Sequence, residues 1–404
     1  MSQFTQWWER QDLHYKAGHL YFGQVQMEGL AFSAETPLYV YNIGRVQANL
    51  QRLTNALAST ELPYQVFYAL KANRSLPLVT TIRATGLCGI DVCSPNELRR
   101  ARQLGFPETK ISYTGTSVSE KDLDCIVKHP HIQFNCDSIS TIRRLGKRCP
   151  GREIGIRINP QMGVGDHPKR QYAGKKATKF GIYRDRFLEA LAVAKQHNLS
   201  VTRLHFHVGG GYLEEQIDAL DTVFEQSHWF LDQCTNVKTI NLGGGLGTPH
   251  TEQAAPFDLE RWAELISKHF KARQLNIQVE PGEYITSDAG ILIMQVNTIE
   301  QKQGVTFVGV DGGMNIHPWY ASYDLPLQIV PLRYDPSLPM QKITVAGQIN
   351  EGIDLFAEDI LLPKLQEGDY LVLLASGAYT TSMASNHCMR GEYSEYLVWD
   401  EPRD

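Results

Sequence analysis

Gln65-Val66-Phe67-Tyr68-Ala69-Leu70-Lys71-Ala72-Asn73 is an apolar run that ends on a basic residue and enters a polar turn. Its length and its aromatic and β-branched content are those of a buried strand. Lys71 closes the run, so its amine is carried on a rigid element and faces whatever opens beyond the strand end. Such an amine can form a Schiff base with a carbonyl compound. Most strand-end lysines are solvated surface charges, and only the company Lys71 keeps gives it weight.

That company is ordered. Strand-like runs recur at 89–93, 111–114, 132–136, 154–159, 204–208, 240–242 and 277–280. Helical patterns separate them. One opens with Ser94 before Pro95, as a helix start should; another covers 185–196, with Phe187, Leu188, Leu191 and Ala194 apolar. Eight βα units in one block predict an α/β fold with a closed (β/α)8 barrel, a TIM barrel, over residues 36–288. Chemistry in such barrels collects at the C-terminal ends of the strands. Lys71, His205-Phe206-His207-Val208-Gly209, Gly243-Gly244-Gly245 and Glu280-Pro281-Gly282 all fall there.

Beyond the barrel the pattern changes. Ile291-Leu292-Ile293-Met294-Gln295-Val296 and Leu371-Val372-Leu373-Leu374 sit among prolines and turns. They predict a second, mainly antiparallel β domain made of 289–404 together with 1–35, which contains Leu20-Tyr21-Phe22.

Composition excludes several classes. The 404 residues are 42% hydrophobic, enough for two domains, and the net charge of -5 is spread rather than blocked. No basic tract points to nucleic acid. No apolar stretch approaches the roughly 20 residues needed to cross a bilayer, and the opening Met1–Trp8 lacks the pattern of a signal segment. Seven scattered cysteines, none in a C-x-x-C pair, read as reduced thiols in a cytoplasmic protein with no structural metal site.

The ordered motifs resemble those of the fold-type III pyridoxal-phosphate decarboxylases, diaminopimelate decarboxylases above all. Besides the lysine motif they include Asp91-Val92-Cys93-Ser94, Arg157-Ile158-Asn159-Pro160, Lys179-Phe180-Gly181, Asp311–Asn315, Gly377-Ala378-Tyr379 and Ser385-Asn386. The resemblance spans residues 38–397. It implies an amino-acid decarboxylase, a carboxy-lyase, with pyridoxal 5'-phosphate on Lys71. His207 then stacks on the ring, and Glu280 faces the pyridine nitrogen and keeps it protonated, which strengthens the ring as an electron sink. Gly243, Gly244, Gly245 and Tyr379 are expected at the phosphate, with a helix N-terminus after the glycine run adding its dipole; Gly210 and Gly282 are expected among the other cofactor contacts. Asp91 and Arg157 are expected near the lysine and ring, or paired with each other. The resemblance also implies head-to-tail homodimers with shared sites and a small amino-acid substrate.

Departures from the family concern the substrate. Where these decarboxylases carry Cys-Glu-Ser-Gly-Asp, with a cysteine that reprotonates Cα, this chain has Asn350-Glu351-Gly352-Ile353-Asp354. An amide is no general acid near neutral pH; Cys388 and His387 are the substitutes at hand. The family's Glu-Pro-Gly-Arg is here Glu280-Pro281-Gly282-Glu283, and Ile316-His317-Pro318-Trp319-Tyr320 lacks the arginine expected before its proline. Losing two guanidinium groups weakens recognition of a distal carboxylate. Glu283, Glu351, Asp354 and Asp324 favour an amine or another polar group instead, and the substrate side falls to Glu283, Tyr320, Asn350, Glu351, Asp354 and Tyr379. Glu351 is also a catalytic candidate. Competing readings are a racemase on the same barrel, which Glu280 argues against, an altered reaction such as decarboxylation followed by oxidation, and a non-catalytic homologue.

Overall fold

The structure, a computed structural model, describes residues 6–174 and 176–400. Most of the opening segment read for a signal, and the extreme ends of the expected second domain, lie outside the described residues.

Eight parallel strands close on themselves. They are β1 (Tyr64–Ala69), β2 (Gly89–Val92), β3 (Ile111–Gly115), β4 (Gln133–Cys136), β5 (Glu153–Asn159), β6 (Ser200–His205), β7 (Thr239–Asn241) and β8 (Asn276–Val279), and β8 pairs back onto β1. The helix Pro95–Gln103 begins as expected, with the Ser94 hydroxyl accepting the Glu97 N–H at 3.2 Å.

Strand parity sorts the barrel's residues. Val66, Tyr68, Ile90, Val92, Ile111, Tyr113, Phe134, Ile156, Leu204, Ile240 and Ile277 join the core packed around the barrel. Alternate positions carry Asp91, Ser112, Asn135, Arg157, His205, Asn241 and Glu280, all buried. These polar residues share the barrel interior near the strands' C-terminal ends.

One strand ends early. The apolar alternation of Phe206 and Val208 suggests that β6 runs to 208, but it stops at His205. The Val208 carbonyl accepts instead from the Val164 and Tyr172 N–H groups, at 3.2 and 3.0 Å, so a loop rather than a barrel strand takes up its pairing.

The second domain is a mixed sheet dominated by antiparallel pairs. Its long strand Gly290–Lys302 pairs antiparallel with Val305–Val310, Tyr370–Leu373 and Leu38–Asn42. Val305–Val310 runs parallel to Met340–Ala346, and Ser394–Val398 parallel to Leu38–Asn42. The strand Leu38–Asn42, counted with the barrel in the sequence reading, is thus hydrogen-bonded into the second sheet. A smaller core of Trp8, Leu13, Leu20, Phe22, Ile291, Ile293 and Val372 holds the N-terminal segment to this domain.

Candidate active site

Glu280, one residue past β8, lies at the centre of the barrel's polar interior. Its carboxylate accepts from the Ser112 hydroxyl on β3 and the Asn241 amide on β7, both at 2.7 Å, and from His205 Nε2 at 2.9 Å. Burial alone raises a carboxyl's pKa, but His205, Ser112 and Asn241 together hold this one down to about 2. His205 is itself kept below its ordinary value by burial, and its Nδ1 has no partner. The consistent state is an ionised Glu280 receiving the Nε2–H of a neutral imidazole.

Lys71 stands across the cleft and remains reachable by solvent. Protein crowding would lower its pKa; Tyr379 and Asp91 oppose that and carry it above lysine's ordinary value. Asp91 is buried, with Oδ1 unpartnered, and burial and then Glu280 push its carboxyl toward the neutral form. Arg157 stacks on Phe180 at 4.5 Å and, among the described residues, makes no direct ion pair with Asp91. His207 is kept neutral by burial and by the charges of Lys71 and Arg157, and its ring leans on Tyr172 at 5.1 Å. The Cys93 thiol donates to Glu97 at 3.2 Å, and burial pushes its pKa up to about 12.

These side chains line two joined compartments. The wider, about 580 Å³, reaches Arg157, Cys93 and Met383; the narrower, about 50 Å³, reaches Gly210, Gly244, Gly245 and Gly282. Lys71, His207, Glu280 and Tyr379 border both.

The glycines explain the narrow part. A Cβ on Gly244 would lie 2.4 Å from the Glu280 carbonyl, and one on Gly245, at φ +103, 2.3 Å from the Tyr212 ring. Gly243 turns the chain, and its N–H is taken by Asn241 Oδ1 at 2.9 Å. No helix follows directly: the next begins at Leu259, so the expected dipole contribution falls away. The run Gly209-Gly210-Gly211 makes room mainly for a neighbouring segment of the chain. A Cβ at Gly209 would sit 1.6 Å from the Val164 carbonyl, and one at Gly211 2.2 Å from the Asp166 carboxyl carbon, so this run admits the loop before Tyr172. Gly210 borders the cavity, beneath the Arg170 guanidinium.

The second domain supplies the remaining wall. Tyr379, at φ +56, donates its N–H to the Ala72 carbonyl at 2.7 Å and so docks beside the lysine turn. On the short helix Pro318–Tyr323, Trp319 and Tyr323 line the cleft, four residues apart on one face. Tyr320 points elsewhere, onto Phe356 at 5.1 Å and His317 at 5.7 Å. Glu283 borders the narrow compartment, ion-paired to Arg170. The Asp354 carboxylate is engaged by the Met314 and Ile349 N–H groups, at 2.6 and 2.7 Å. Asp324 pairs with Lys169 at the surface. Asn350 and Glu351 lie on an exposed turn outside this chain's own cleft, where Glu351 meets His387 at 3.0 Å and Cys388 is exposed nearby in sequence.

The sequence reading missed Ser112, Asn241, Arg170, Tyr172, Trp319 and Tyr323. Parity offered a signal for two of them, since Ser112 and Asn241 are polar residues between apolar neighbours in β3 and β7. The other four sit on irregular segments or a short helix.

Residues 43–287 match the family model described as pyridoxal-dependent decarboxylase, pyridoxal binding domain. The chain is 34% identical to the diaminopimelate decarboxylase of Methanothermobacter thermautotrophicus, covering 94% of this chain and 91% of that protein. It is 31% identical to the one from Aquifex aeolicus, covering 96% and 92%. Among solved structures, diaminopimelate decarboxylases complexed with L-lysine superpose closely. The M. jannaschii protein does so with a TM-score of 0.87 at 26% identity, covering 96% and 93% of the two chains. The Helicobacter pylori protein does so with a TM-score of 0.85 at 28% identity, covering 94% and 95%.

Proposed function

The chain belongs to the pyridoxal-dependent decarboxylases, and on that premise we propose that Lys71 binds pyridoxal 5'-phosphate covalently for the decarboxylation of a diamino acid. Amino-acid decarboxylation follows from the family and from its full-length relatives; the substrate class and the residue roles are our reading.

The site fits the cofactor by three observations. Glycines line a recess that a Cβ at Gly244 or Gly245 would fill. Asp91 Oδ1 and His207 Nδ1 are buried polar atoms without a partner. Lys71 and Glu280 border one cavity whose narrow end suits a phosphate. When bound, pyridoxal phosphate supplies an electron sink for the pair released as the Cα–carboxylate bond breaks.

The chain's own residues prepare that chemistry. Glu280 presents a fixed negative charge, held ionised by its three donors, for a protonated ring nitrogen. An arginine there would leave that nitrogen unprotonated, so the charge of Glu280 favours decarboxylation over racemisation. Neutral His207 offers a flat ring face without adding charge. Tyr379 and Gly282 close the phosphate end. Met383, Cys93 and Arg157 bound the wider space left for the substrate.

The solved relatives hold L-lysine, which supports a substrate with an amino group at its far end. The exposed turn carrying Asn350 and Glu351, with Ile353 65% exposed, supports a head-to-tail dimer in which this turn completes the partner's site. Seven free cysteines favour a reducing compartment, the cytoplasm; among the described residues no helix is long and apolar enough to cross a membrane.

The observation that carries this reading is the ionised Glu280, with its three donors, sharing one cavity with Lys71. Holoenzyme should release carbon dioxide from at least one member of a panel of L-, D- and meso-diamino acids. Borohydride should fix the cofactor to Lys71. Release from none of them, or fixation at another lysine, overturns the reading.

A further inference from the structure

We propose that Arg170, which no sequence motif marks, is the cation that receives the cofactor's phosphate. This assignment rests on the cofactor reading above.

Arg170 belongs to the irregular segment between β5 and the helix Arg184–Gln196, and main-chain hydrogen bonds pin that segment to the glycine run. Asp166 N–H donates to the Gly210 carbonyl at 3.3 Å, and Gly210 N–H donates to the Arg170 carbonyl at 3.0 Å. The guanidinium is then laid over Gly210: a Cβ built there would be 3.1 Å from Nη2. A side chain at 210 would crowd Arg170 in this pose and make it give by a few tenths of an ångström. The bare residue and the arginine form one device.

The arginine is fixed as well as near. Its side chain is 4% exposed. Nη1 donates to Asp166 at 2.8 Å, Nη2 to Glu283, and the guanidinium stacks on Trp319 at 5.2 Å. Two of its five N–H donors are thereby engaged, and the rest remain for a ligand. Burial tends to strip a cation of its proton, but Glu283 and Asp166 more than offset this, so Arg170 stays charged.

The narrow compartment calls for such a charge. It is bordered by Gly210, Gly244, Gly245 and Gly282, whose main chain can approach a phosphate closely but brings no formal charge. Arg157 borders only the wider compartment, and Lys71 is committed to the aldehyde end. Among the described residues lining the narrow compartment, Arg170 is the remaining cation. A planar fork of donors suits phosphate oxygens. Glu283, at the position where the family pattern places an arginine, then serves to hold a guanidinium that arrives from a different segment.

The test compares pyridoxal phosphate with pyridoxal, which has the aldehyde and ring but no phosphate. Each is titrated onto cofactor-free protein by imine absorbance. Arg170→Met alone leaves Glu283 buried without its partner, so Arg170→Met/Glu283→Gln is the primary variant, with its melting curve as the fold check. We expect it to bind pyridoxal phosphate roughly tenfold or more weakly while pyridoxal stays within about twofold of the parent. Arg170→Lys should recover part of the loss. Unchanged affinity for pyridoxal phosphate, or equal loss for both compounds, overturns the assignment. An imine at Lys71 with pyridoxal in every variant shows that the cofactor reading stands whichever way Arg170 falls.

Discussion

His205 Nε2 lies 2.9 Å from Glu280 Oε2, and the other nitrogen of that imidazole has no partner. The histidine is therefore a one-proton donor that fixes a carboxylate in its ionised form. Two adjacent strands, β6 and β7, and β3 across the interior all contribute to that one end.

Replacing Glu280 with Gln keeps the shape and removes the charge. Carbon dioxide release should fall by about 10²–10³-fold while covalent fixation at Lys71 persists. Steady-state rates and borohydride trapping measure the two separately. A loss below about tenfold would show that the charge is not what the ring nitrogen needs.

Gly209 admits the loop that carries Arg170. A Cβ there would lie 1.6 Å from the Val164 carbonyl, so Gly209→Ala must push the loop away, destabilising the fold by about 1–3 kcal/mol. Faster proteolysis between residues 162 and 173, with weaker cofactor binding, is the expected result. Wild-type protease resistance would show that the loop can shift without letting go.

Acid should loosen the fold before carboxylates protonate. His317 is 1% exposed, and burial holds its pKa to about 4, below histidine's ordinary 6.5. Between those values the unfolded chain binds a proton that the folded chain refuses, so stability falls as pH drops through this window. The slope is at most about 1.4 kcal/mol per pH unit for this residue. His317→Gln should flatten the dependence of Tm on pH between about pH 7 and pH 5. An unaltered slope would assign the effect to other groups, with His205 and His207, also held neutral, the first to try.

The proposed head-to-tail dimer, with its shared sites, predicts complementation. Lys71→Ala and Glu351→Ala should each be inactive alone, because each homodimer lacks one element in both sites. Mixed and allowed to exchange, they should regain about a quarter of wild-type activity, since half the dimers are mixed and each has one intact site. No recovery after demonstrated exchange would place Glu351 outside the partner's site.

The barrel was legible because its strands announce themselves as short apolar runs separated by helical patterns, even though the later runs lie farther apart than the first five. Lys71 and Glu280 were legible as cavity-lining residues because they fall one or two residues past their strands, where parity still sets which way they face; His207, beyond the end of β6, was reached through the family resemblance. Gly244 and Gly245 were legible as a run, but the expected helix behind them was not there, because Leu246–Pro256 is held by tertiary contacts such as Gly247 N–H to the Tyr212 carbonyl, 2.9 Å. Arg170 could not be read, since its place depends on a loop docking onto Gly209 and Gly210. Tyr320 was chosen and its neighbours Trp319 and Tyr323 passed over because a six-residue helix gives too few turns to reveal its facing side.

Leu38–Asn42 lies between Gly290–Lys302 and Ser394–Val398 in the second sheet. During synthesis the ribosome delivers Leu38–Asn42 ahead of the whole barrel, and Gly290–Lys302 and Ser394–Val398 after it. The barrel has left the exit tunnel long before its neighbour can close. Tyr379 and Trp319 come with that late half, so the nascent chain holds Lys71 in an unwalled bowl until the second sheet has been made.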